Sequence, residues 1–185
     1  MRNKYIFILT ITIVSSFFLS LASEGFKEMK RKNVEIDKKK NILSAIGVAI
    51  DNFSVDDIDE YFQSNIDSLI INTDGLVVDN ISIEDLKEVE NKSTGEVRYF
   101  YENNEFLPLY IETKENVIIM PISGKGLWSS LFGYFALDAD NYSTVKGITF
   151  YAHAETPGLG AEISKKWFQD NFVNKEIYEN NNLKS

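Results

Sequence analysis

Tyr151-Ala-His-Ala-Glu-Thr-Pro-Gly-Leu-Gly160-Ala-Glu-Ile163 joins a β-type run to a turn rich in Gly and Pro and carries the single histidine of the chain. Thr149, Phe150 and Tyr151 favour a strand. Pro157 then fixes φ and removes a donor, while Gly158 and Gly160 allow positive φ and close approach of another group. Such a turn can receive a flat ring or a phosphate; Pro-Gly equally well does no more than end a strand. His153 and Glu155 alternate with Ala152 and Ala154, so a strand that persisted would put both on one face, where the pair could do acid–base work.

Working outward, Gly124-Lys-Gly-Leu-Trp-Ser-Ser-Leu-Phe-Gly-Tyr-Phe-Ala-Leu137 precedes an acidic turn and then Thr144-Val-Lys-Gly-Ile-Thr-Phe-Tyr151. Gly124-Lys-Gly126 has the spacing of neither phosphate-binding fingerprint, which argues against a nucleotide fold of those kinds. Trp128, beside Leu127, Leu131 and Phe132, reads either as a ring-stacking residue or as core. Asp138, Asp140 and Asn141 open like a calcium loop, but Ser143 stands where Gly is needed and Thr149 where the bidentate Glu belongs, so a hairpin turn is expected.

In this order, Gly-x-Gly-Leu-Trp, Val-Lys-Gly-Ile-Thr-Phe and His-x-Glu-Thr-Pro-Gly-Leu-Gly resemble the FMN-binding domain family of respiratory flavoproteins, and within it the C subunits of Na+-translocating NADH:quinone reductases. The resemblance reaches back to Lys38-Lys-Lys-Asn-Ile-Leu-Ser-Ala-Ile-Gly47 and the hydrophobic N-terminus, so it covers most of the chain. It implies FMN as cofactor, held by Glu155, Thr156, Gly158, Leu159 and Gly160, with Trp128 shielding the ring and His153 in the same motif. It also implies a translocase subunit, not catalytic alone, that relays single electrons among the other subunits of its complex. The flavin does the redox chemistry in such a carrier, so His153 and Glu155 are not needed as acid and base. Family members esterify the FMN phosphate to the Thr of a Ser-Gly-Ala-Thr motif. These 185 residues contain no such motif, so the attachment residue is unassigned and the domain is expected to be C-terminally incomplete. Two alternatives stay open: the G subunit of an Rnf-type ferredoxin:NAD complex, which shares the flavin fold, and a non-redox exported binding module.

Composition narrows the classes further. A content of 44% hydrophobic residues, with thirteen Phe and nine Tyr, supports one packed domain. The net charge of −9 argues against nucleic acid, whose binders neutralise phosphates with Lys and Arg. Twelve acids against the single Lys87 between Asp51 and Glu90 read as a solvated face. The absence of cysteine excludes disulfides, thiolate metal sites and Cys nucleophiles.

Tyr5 to Ala22 is uncharged and rich in Ile, Phe and Leu. As a helix it spans about 27 Å, enough to cross a bilayer. Its length favours an anchor at 5–22, after residues 1–4, which the resemblance implies are cytoplasmic; a cleaved signal peptide is the alternative, given Arg2, Lys4 and Leu21-Ala-Ser23. Lys27, Lys30, Arg31, Lys32 and Lys38 to Lys40 outnumber Arg2 and Lys4, so the positive-inside count opposes export of the downstream domain. The resemblance instead implies a single-pass protein of the cell inner membrane, in contact with lipid, with its main domain at 48–185 on the outer side.

Phe26, Met29, Ile36, Leu43 and Ile46 predict an amphipathic juxtamembrane helix over 23–47, ending near Gly47, that either docks on the bilayer or a partner subunit or packs on its own domain. Ser54-Val-Asp-Asp57 predicts a capping-box helix start. Ser68 to Ile71 and Leu76 to Val78 predict a hairpin about Asp74-Gly75. Asn91 to Gly95 reads as a loop, Val97 to Tyr101 and Asn116 to Met120 as strands, and Pro108 makes Leu107 to Ile111 an edge strand or strand start. Lys175 to Tyr178 and the run Asn180-Asn-Asn182 are expected to lead into another strand. The sum is an α+β fold: one transmembrane helix, then a twisted, mostly antiparallel sheet with flanking helices.

Overall fold

The computed structural model describes residues 2–179 and 182–183, so two of the three asparagines of the Asn180 run lie outside the described residues. The chain divides into two compact units, Met1–Lys38 and Lys39–Ser185. In the first, helix α1 (Arg2–Gly25) and the start of α2 (Lys27–Ala45) adjoin at Phe26. The stretch Asn3–Gly25 is long and apolar enough to cross a membrane. Thr10 and Thr12 satisfy their hydroxyls on the carbonyls four residues earlier, at 2.9 and 3.0 Å, which removes the polar cost of placing them in an apolar helix.

The second unit is α+β. It begins with the last turns of α2, which end in a Schellman cap: Gly47 has φ +76°, its N–H donates to Ser44 O at 3.0 Å, and Val48 N–H donates to Leu43 O at 3.1 Å. Helix α3 (Val55–Asn65) starts at the expected box, Ser54 Oγ accepting from Asp57 N–H at 3.2 Å while Asp57 accepts from Ser54 N–H at 2.8 Å. Strands β1 (Ile66–Asn72), β2 (Lys87–Glu90), β3 (Val97–Tyr101), β4 (Asn104–Glu112), β5 (Val117–Lys125), β6 (Ser130–Asp138) and β7 (Val145–Ala152) form one antiparallel sheet in the order β2-β3-β4-β5-β6-β7, with β1 also on β4. A short pair, β8 (Tyr178–Glu179) and β9 (Asn182–Leu183), stands apart from it.

Two expectations are corrected. The Asp74-Gly75 turn forms, with Gly75 at φ +79° and Asn72 N–H donating to Leu76 O, but the returning limb is a single bridge, Ile71 to Val77. The full partner of β1 is β4, from Ile66 opposite Glu112 to Asn72 opposite Phe106. Pro108 sits inside β4, not at a sheet edge. Ile70, opposite Pro108, gives its carbonyl to Val78 N–H, so this pair does not exchange ladder bonds and the nitrogen of Pro108 faces the other side. There β3 pairs with Asn104, Glu105 and Phe106, and β5 with Tyr110, Ile111 and Glu112. The gap between those two partners is where a residue without N–H does no harm.

One sheet face carries Tyr110, Tyr134, Gly147 and Thr149, a set that follows from the register Tyr110–Ile119–Ala136–Gly147 and the period of two. The end of α2 and all of α3 cover it. Thr149 Oγ1 reaches Asn41 O at 3.5 Å, the Phe62 ring meets Tyr110 edge-on at 6.2 Å, and Lys39 ties the helices through Asp59 at 2.7 Å. Ile42, Leu43, Ile58, Val117, Ile119 and Val145 are fully buried in this layer. Gly147 is required there, because a Cβ would overlap the Ala45 carbonyl.

Candidate functional site

The stretch from Tyr151 to Ile163 lies where β7 ends. The strand stops at Ala152, so His153 and Glu155 do not continue it and do not share a strand face. Instead Glu155 N–H donates to His153 Nδ1 at 3.3 Å, and the chain turns. Thr156 O accepts from Leu159 N–H and Ala161 N–H, both at 3.1 Å, with Gly158 at φ +74° in the middle. That left-handed position suits glycine, and the space where a Cβ would stand is open. A 3₁₀ turn, Gly160–Ser164, and the short α4 (Lys166–Gln169) come next.

The second half of the site is the four-residue loop between β5 and β6. Gly126 N–H donates to Ser129 O at 2.8 Å and closes it. The two loops are bolted together by Glu155, which is 8% exposed. Its Oε1 accepts from Trp128 N–H at 3.0 Å and Ser129 N–H at 3.3 Å. Beside it, Ala154 N–H donates to Ser129 Oγ at 2.6 Å. The loop amides that could have cradled a phosphate therefore already bind a carboxylate of the chain itself. Gly124, upstream, is packed against the backbone of Gly95.

The outward side of these loops is apolar. Leu127 is 81% exposed, Trp128 69% and Leu159 72%, so Trp128 is not core here. Thr156 and Gly158 are exposed beside them and His153 is half-buried. Large apolar side chains thus stand exposed on two mutually anchored loops, and groups of this kind suit stacking on a flat aromatic ring, with the exposed Thr156 hydroxyl available for its polar edge. The expected flavin residues are thus brought to one place, but Glu155 spends one carboxylate oxygen on the neighbouring loop. Its reach of 27 residues to Trp128 has no local signature in the sequence. No cluster of His, Asp and Glu that could hold a metal is present among the described residues.

The FMN-binding domain family matches residues 126–184, both loops included. The chain is similar to the C subunit of the Na(+)-translocating NADH-quinone reductase of Pasteurella multocida, 28% identical over 95% of this chain and 72% of that protein. Its similarity to the same subunit from Pseudomonas aeruginosa is 29% identity over 92% of this chain and 70% of that one. Among solved structures, the corresponding C subunit from Parabacteroides distasonis superposes with a TM-score of 0.68 at 28% identity, covering 86% of this chain and 74% of that one. NqrC from Shewanella oneidensis, at 20% identity and a TM-score of 0.60, shares the fold, over 82% of this chain and 73% of that one. The chain is thus similar to C subunits of Na(+)-translocating NADH-quinone reductases over most of its length, and its residues 126–184 match the FMN-binding domain family, which supports FMN as cofactor.

Proposed function

We propose that this chain is the flavin-carrying subunit of a membrane-bound, Na+-translocating NADH:quinone reductase, where it passes electrons one at a time between neighbouring subunits. The observation that supports the reading is the paired-loop surface of Leu127, Trp128 and Leu159, held together inside an FMN-binding domain. FMN, when bound, supplies the change between one- and two-electron chemistry. The chain's own residues bind, orient and shield. Trp128 and Leu159 offer apolar cover, and the Thr156–Gly160 turn brings backbone close to the ring. Residues 5–22 anchor the chain in the cell inner membrane against lipid, with residues 23–47 as a juxtamembrane helix and the domain at 48–185 on the outer side. The remaining subunits of the complex donate and accept the electrons.

The test is titration of the full chain in detergent with FMN, read by flavin fluorescence. Trp128→Ala and Leu159→Ala should each weaken binding by about tenfold, the scale of one aromatic contact. Trp167→Ala, an exposed indole whose N–H reaches Glu162 at 3.3 Å, should not. A wild-type chain without FMN affinity, or equal losses in all three variants, defeats the reading.

A further inference from the structure

We infer that Glu155 is a positioning residue: its carboxylate is an internal anion that latches the Gly126–Ser129 loop to the Thr156–Gly160 turn and so shapes the flavin surface. The inference rests on the flavin reading and changes the part Glu155 plays in it, from touching the ring to holding the loops that do.

Four observations carry it. Glu155 is 8% exposed, although a glutamate ordinarily sits in water. Its Oε1 accepts from two consecutive backbone amides, those of Trp128 and Ser129, at 3.0 and 3.3 Å, an arrangement that binds anions. Both loops close on the same side chain. A Cβ added to Gly126 would overlap Oε1, and one added to Gly160 would come within 2.9 Å of Oε2, so each glycine is pressed against the carboxylate. Finally, Ala154 N–H donates to Ser129 Oγ at 2.6 Å, a second tie that fixes the rotation of the first loop about the latch. Without the carboxylate, the Trp128 and Ser129 amides would lose their acceptor, and the Ser129 tie to Ala154 would be left to hold the loops bearing Trp128 and Leu159.

The glycines in Gly-Leu-Trp and Pro-Gly-Leu-Gly then have different duties. Gly126 and Gly160 make room for the latch, whereas Gly158 supplies the left-handed turn. A carboxylate on two amides is replaceable by an amide oxygen but not by a methyl group, which makes the idea testable with two variants.

The experiment uses the full chain in detergent, as wild type, Glu155→Ala and Glu155→Gln, with circular dichroism to confirm the fold. Backbone hydrogen exchange is followed by mass spectrometry without flavin, and FMN affinity is measured separately. Glu155→Ala should speed exchange of 126–130 and 156–161 together and weaken FMN on the order of tenfold or more, the scale of one charge-assisted hydrogen bond. Glu155→Gln, which keeps an acceptor oxygen, should restore both to within about threefold of wild type, a small difference on the scale of one hydrogen bond. Unchanged exchange in Glu155→Ala overturns the latch, and so does loosened exchange with unchanged FMN affinity. If Glu155→Ala does not fold, Glu155→Gln decides: a loss as large as tenfold there overturns the latch, and near wild-type exchange supports it. A wild-type chain that binds no FMN while Glu155→Ala loosens both loops leaves the latch standing and removes the flavin reading instead.

Discussion

Single glycines permit close backbone approaches in this molecule. At Gly133 a Cβ would overlap the Thr149 carbonyl across the β6–β7 ladder, next to a register shift between Phe132 and Gly133. Backbone cannot retreat from such a contact as a flexible side chain can. Gly133→Ala should therefore destabilise the domain by about 1–3 kcal/mol, the usual range for overpacking. A thermal melt lowered by several degrees checks it, and an unchanged melt defeats it. Tyr134 presents the opposite problem, a buried polar group. Burial first, then the nearby Tyr110, Tyr151, Tyr99 and Glu88, push its phenol well above the ordinary value of 10.0. Its ring stacks on Tyr151 at 5.5 Å and meets Tyr110 edge-on at 6.2 Å. A raised folded-state pKa gives stability that is whole below pH 10 and is lost as pH climbs through the unfolded value toward the folded one. Tyr134→Phe should then lose stability less steeply than wild type above pH 10, measured by alkaline unfolding.

At the scale of elements, the start of α3 depends on reciprocal bonds between Ser54 and Asp57. Ser54→Ala removes the side-chain half and should cost about 1 kcal/mol, as N-cap losses do. The Ser54 hydroxyl, then its backbone N–H, hold the Asp57 carboxyl below 3.8. Lys146 at 2.9 Å and the Asp140 N–H do the same for Asp138 at the β6–β7 turn. Depressed carboxylates contribute stability above the unfolded value, and it drains away as pH falls through the folded one. Melts between neutral pH and pH 3 should fall, and fall less for Asp57→Asn than for wild type. These caps and turns are legible in sequence because their chemistry closes within three or four residues. The Gly47 cap is of the same kind. The two-residue Glu102-Asn103 turn joining β3 to β4, with φ +46° and +67°, is just as local, but Glu-Asn lacks the usual Asn-Gly signature and so gives no sequence signal.

For the whole molecule, the decisive feature is that the unit Lys39–Ser185 contains the sheet, its covering helix turns and both site loops. A chain lacking residues 1–25 should move from the membrane to the soluble fraction and bind FMN with wild-type affinity. Fractionation and then flavin titration check it; persistent membrane association would show that the anchor lies elsewhere. The site is legible in part. His153, Glu155, the Pro-Gly turn and Trp128 stand out as residue types, and the loops that carry them do meet. The choice between core and exposed for Trp128 is not legible, since Leu127, Leu131 and Phe132 around it allow either.

By itself the sequence determined the apolar helix, the helix caps, the α+β class and the Gly-rich turn after β7, because each comes from hydrophobic period or from bonds between near neighbours. Tertiary structure alone decided that β1 takes β4 as its full partner and the segment after Gly75 only through the Ile71–Val77 bridge, that Pro108 fits a gap between two partner strands, and that Glu155 reaches across to Trp128 and Ser129. The reason is physical: each is a choice among partners far apart in the chain, and burial of the whole sheet, not any local preference, selects among them.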